Sequence, residues 1–112
     1  MHHKPAHDRT LLDTLVTHMR AVEPGIRIGA MFGCPAVFVG RRMAFCVYGE
    51  GMGAKLPQAE AARLIASGQA TAFRPFGRPA MKEWVELRAE PGEALQMAPI
   101  LTLAVRYARD LA

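Results

Sequence analysis

Residues 36–48 read AVFVGRRMAFCVY: four apolar residues, a glycine and two arginines, then six residues without a charge. Two short runs rich in β-branched and aromatic residues, split by a glycine-containing break, are the mark of a β-hairpin. Strict alternation along the second run puts Met43, Phe45 and Val47 on one side and Ala44, Cys46 and Tyr48 on the other. Both sides are apolar. This strand is therefore expected to be central and covered on both faces within the chain, or covered by a partner.

Upstream, Leu12, Leu15, Val16 and Met19 fall at i, i+3, i+4 and i+7. That spacing predicts an amphipathic helix, with Asp8 as its N-cap and Glu23-Pro24-Gly25 as its stop. Ile26–Met31 then alternates as a strand. Downstream, Gly49-Glu50-Gly51-Met52-Gly53 reads as a flexible connection, and Met52–Leu56 can add a short strand. Pro57 suits a first helical position, and the helix runs to about Ser67, with Ala61, Leu64 and Ile65 as its buried stripe and Gly68 as its end. Residues 70–74 and 83–89 read as two more strands, joined by Pro75-Phe76-Gly77-Arg78-Pro79. Pro91-Gly92 is a break. Pro99 opens a last helix with Ile100, Leu103, Ala104, Tyr107 and Leu111 as its apolar stripe. The predicted order is α-β-β-β-α-β-β-α. Consecutive strands with short turns predict an α+β fold, an antiparallel sheet of about five strands carrying helices.

The 112 residues fit one domain, here residues 8–112, with a polar, histidine-rich end at 1–7 expected to be disordered. Half the residues are apolar, enough for a core without disulfides or metal. No apolar run spans a bilayer, and MHHKPAHDRT lacks the apolar segment of a signal peptide, so a cytoplasmic protein with no membrane partner is expected. The two cysteines, Cys34 and Cys46, read as thiols. A net charge of +4 permits an acidic or nucleic-acid partner without demanding one.

Met31-Phe32-Gly33, the Gly40 turn, Phe45, Lys55, and Phe76-Gly77-Arg78-Pro79 followed by Met81 and Trp84 resemble, in order and spacing, the TfoX N-terminal domain family. A YjbR-like family is a more distant likeness. The resemblance covers roughly residues 10–112 and implies a secretion-chaperone-like fold of the order given above. It also implies kinship with bacterial regulators of natural competence, in which a second, helical domain follows. This chain ends at Ala112, and Cys34-Pro35 stands where many relatives carry a glycine and an aromatic. No catalytic residue and no cofactor come with the family.

Several residues invite a chemical reading. The glycine run at 49–53 lies between a strand and a helix, as a phosphate loop does, but its spacing is wrong and Glu50 would repel an anion, so a turn is the plainer reading. Cys34 is expected in a turn, where only His18 could activate it. A disulfide to Cys46 depends on hairpin register: a two-residue loop puts the cysteines on opposite faces and a three-residue loop on one. His2, His3 and His7 could chelate a metal or be a disordered end or tag remnant, and no Cys/His set has zinc spacing. Glu83 and Glu86, three apart on a strand, face opposite ways. The strongest patch is Arg74, Arg78 and Lys82, interleaved with Phe73, Phe76 and Trp84 and extended by Arg41 and Arg42 at a hairpin tip. Arginines among aromatics can grip phosphates and stack bases, or can keep a loop soluble above core aromatics.

The leading expectation is a non-enzymatic protein-interaction or regulatory domain, a homodimer with a further, unidentified protein partner. Its motive is the doubly apolar strand at 43–48. The runner-up is a nucleic-acid-binding accessory protein using Arg41, Arg42, Arg74, Arg78 and Lys82. A thiol enzyme around Cys34 comes third.

Overall fold

The computed structural model describes residues 9–31, 33–48, 51–74, 82–88 and 94–111. In chain order these form α1 (Arg9–Val22), β1 (Ile26–Met31), β2 (Cys34–Val39), β3 (Arg42–Tyr48), β4 (Gly51–Lys55), α2 (Gln58–Ala66), β5 (Thr71–Ala72), β6 (Trp84–Arg88) and α3 (Ala98–Leu111). A 3-10 turn at Ala94–Met97 leads into α3. All strand pairs are antiparallel, in the sheet order β1-β2-β3-β4-β6-β5. The α+β architecture is the expected one. The expected N-cap Asp8, the N-terminal histidines and the break at Pro91-Gly92 lie outside the described residues.

The sheet has six strands because the glycine run is partly strand. Residues 51–55 lie between β3 and β6, and at Gly51 and Gly53 a side chain would not fit. A Cβ on Gly51 would collide with the Leu87 carbonyl oxygen. One on Gly53 would sit 2.7 Å from the Phe73 ring. Glycine here answers close approach across the sheet rather than a need for flexibility.

The sheet's inner face carries the main core. Leu15, Val16 and Met19 of α1 are buried, as their spacing predicts. They join Val37, Phe45, Val47, Met52, Leu87 and Leu101 in one cluster. Each such Leu or Phe contributes about 1.5–3 kcal/mol by leaving water. Helix α3 turns a different stripe inward from the expected one. Ala98, Leu101, Ala104, Val105 and Ala108 are buried, while Leu103 is exposed. Small alanines let the helix lie close to β2, β3 and β4; counting large side chains alone rotates the predicted stripe. In α2, Ala61 and Leu64 are buried as expected, but Ile65 is exposed.

The outer face has its own, smaller cluster: Ala36, Met43, Cys46 and Phe73, flanked by Met31, Phe38 and Trp84. Met43 shares this face with Cys46, not with Phe45, against the simple alternation. The reason is a bulge. Val37 pairs with Phe45 and Phe38 with Met43, so Ala44 is an extra residue in β3. Ala44 and Phe45 then point the same way, into the inner cluster.

Residues 43–47 are all buried within a single chain. Over residues 43–47 the doubly apolar strand therefore needs no second copy to cover it, and there the sequence-based motive for a dimer is removed. Among the described residues, no helix is long and apolar enough to cross a membrane.

Candidate functional site: one basic end of the sheet

Antiparallel pairing fixes which turns meet. Ile26 pairs with Val39, and Val39 with Arg42 across the two-residue turn Gly40-Arg41. Gly40 takes φ 59° there. Lys55 pairs with Trp84, and Ala72 with Val85. The start of β1, the β2–β3 turn, the end of β4, the start of β6 and the end of β5 thus share one end of the sheet. Arg27, Arg41, Arg42, Lys55, Lys82 and Arg74 lie along it, and all but Lys55 are exposed. At about 4.8 Å per strand, the row spans roughly 24 Å.

Of the sequence patch, Arg41, Arg42, Arg74 and Lys82 are therefore brought to one end. Arg78 and Phe76 lie outside the described residues. Arg27 and Lys55 are additions that only the register reveals, because they sit in strands far from the loop in sequence.

The carboxylates nearby are engaged. Glu83 accepts a hydrogen bond from the Tyr107 hydroxyl at 2.6 Å and lies 4.0 Å from the Lys55 ammonium. Bonding to this carboxylate, followed by partial burial, raises the Tyr107 pKa. Glu23 lies 3.6 Å from Arg109. Glu60 is held by Arg63 at 2.9 Å. Among the described residues, no carboxylate pairs with Arg41, Arg42, Arg74 or Lys82. At the opposite end, Arg88 sits 3.6 Å from Glu86. Glu83 and Glu86 thus serve different places, as their spacing implies.

Of the expected aromatics, the two among the described residues, Phe73 and Trp84, are buried and half-buried. Phe73 is fully buried against Gly53, with its ring centroid 5.7 Å from that of half-buried Trp84. The Arg27 guanidinium lies 4.7 Å from the Phe38 ring centroid, and its Nε donates to the Gly40 carbonyl at 3.1 Å. That cation–π contact anchors Arg27 at the sheet end while leaving its outer N–H groups available.

Cys34 is not in a turn. It begins β2, is buried, and faces the outer side with Ala36. Ala36 pairs with Cys46, so the two cysteines are diagonal neighbours on one face. The turn has two residues, which alone would have separated them; the Ala44 bulge restores the shared face. They are not joined by a disulfide. Burial pushes the Cys46 thiol up to about 12, against the direction a nucleophile needs. His18 is exposed on α1, whose buried residues pack on the inner face, away from Cys34. Among the described residues, no group of three His, Cys, Asp or Glu side chains could hold a metal.

No protein-family model matches the chain, and neither a curated protein nor a solved structure is significantly similar to it.

Proposed function

We propose that the chain is a non-enzymatic interaction domain, regulatory in role, that pairs with a second copy by strand addition at β1. The contrast between the sheet's two edges carries this reading. The β5 edge is two residues long. The β1 edge runs six residues, IRIGAM, without proline or bulge and with a single charge, Arg27, near one end. Exposed edges are ordinarily blunted by such devices, because their unpaired N–H and C=O groups template further strands.

The β1 sequence complements itself. Antiparallel pairing about Gly29 sets Ile28 opposite Ala30 of the second copy and Arg27 opposite its Met31. No like charges then face each other across the pair. Ile28, 46% exposed, would be covered. The residues quoted for the TfoX N-terminal likeness, and a shared α+β plan to which this chain adds one strand before α2, support the regulatory side of the proposal. The same likeness supports a cytoplasmic home.

Light-scattering mass across about 5–200 μM tests it, the upper range being needed because a single edge pair buries little area. The mass is expected to rise from 12.2 kDa toward twice that value. Ile28→Lys, placing a charge on the exposed edge, is expected to hold it at the monomer. A monomeric mass throughout removes the self-pairing. A wild-type dimer unaffected by Ile28→Lys removes β1 as its seat.

A further inference from the structure

We infer that the basic end of the sheet is a docking surface for the phosphate backbone of duplex DNA. This is independent of any pairing at β1. The ladder itself spaces the charges. Arg27, the Arg41-Arg42 turn, Lys55, Lys82 and Arg74 succeed one another across β1 to β5, held by strand pairing. A rigid row of roughly 24 Å matches the rise of about seven base pairs, a partner that is itself straight and regularly charged.

Three observations favour duplex over other polyanions. Arginine supplies four of the six cations, and a planar guanidinium meets phosphate oxygens two at a time. Glu83 offsets only Lys55 of the row and accepts from Tyr107, while Glu23 faces Arg109 and Glu60 faces Arg63, which leaves Arg41, Arg42, Arg74 and Lys82 with no carboxylate partner among the described residues. Phe73 and Trp84 pack against each other, and Phe38 lies under Arg27, so the described aromatics beside the row offer no stacking platform of the kind single strands use. Contacts confined to the backbone position a protein on DNA without reading bases. Binding is thus expected to be indifferent to sequence.

Fluorescence anisotropy of a labelled 20-base-pair duplex with the full chain tests the surface. With about four phosphate contacts, affinity should fall roughly 100-fold between 50 and 200 mM salt. Arg41→Ala and Arg74→Ala should each weaken binding about tenfold at 50 mM salt and lower the salt slope by about one. Arg88→Ala, at the opposite end of the sheet, should leave binding within twofold. Circular dichroism establishes that each variant is folded. No binding by the folded wild type at 50 mM salt overturns the proposal. So does an Arg88→Ala loss equal to that of Arg74→Ala, which would mean diffuse attraction to net charge. Equal competition by single-stranded DNA or by polyglutamate at matched charge removes the duplex as the partner.

Discussion

The two faces of this sheet are closed by different means. The inner face is covered by helices, and alanines at Ala98, Ala104 and Ala108 bring α3 down onto the strands. On the outer face a fully buried aromatic, Phe73, is seated in the space that Gly53 leaves bare and steadied by Trp84. A broad core of many side chains spreads its energy widely. A plug over a glycine concentrates it in one fit. Strand β3 serves both faces because the Ala44 bulge lets Met43 and Cys46 face outward while Ala44, Phe45 and Val47 face inward.

The largest expected effect lies on the inner face. Phe45→Ala should cost about 4 kcal/mol in denaturant-induced unfolding, from lost burial and a residual cavity. A loss below about 2 kcal/mol would mean that the helices collapse into the gap and that the inner face is the softer one. On the outer face, Gly53→Ala should cost about 2 kcal/mol, because the new Cβ must displace the Phe73 ring. In a Phe73→Ala background the same change should cost little. Additive losses in this double-mutant cycle would show that the two residues do not share a seat.

The smallest effect is electrostatic. Burial raises the Cys46 thiol from its ordinary 9.0 to about 12, so the folded chain holds a proton that the unfolded chain releases. Stability from this group is complete below pH 9 and is lost as pH climbs toward 12. Wild type should lose about 1 kcal/mol more than Cys46→Ala between pH 9 and pH 10. Equal slopes for the two proteins would place the thiol in water and open the outer face.

Much of this fold was legible from residue order. The α1 stripe, the hairpin around Gly40 and the end of α2 before Gly68 follow from spacing and punctuation alone. Three features were not. A bulge has no compositional mark, so the parity of β3 was read straight through Ala44. The buried stripe of α3 is drawn by alanines, which carry little hydrophobic signal although they set how closely a helix can sit. Gly51 and Gly53 signal flexibility locally, and only the neighbouring Leu87 and Phe73 reveal them as places where backbone and ring need room. The basic surface was half legible. Arg41, Arg42, Arg74 and Lys82 stand out as loop cations, but their meeting depends on strand direction, and Arg27 and Lys55 join them only through register. Phe73 and Trp84 beside those cations suggested stacking; the burial of Phe73 and its contact with half-buried Trp84 assign the pair to the core instead.

The bulge also bears on how a gene for this sheet can change length. Elsewhere in a strand, losing one codon inverts every side chain beyond it, so an oily face turns to water. At Ala44 the arithmetic differs. With that residue gone, Met43 would stand next to Phe45 in the pairs they already make with Phe38 and Val37, each on its present side. The ladder would simply become regular, which makes this one codon the place in β3 where a deletion leaves the pattern of inside and outside intact.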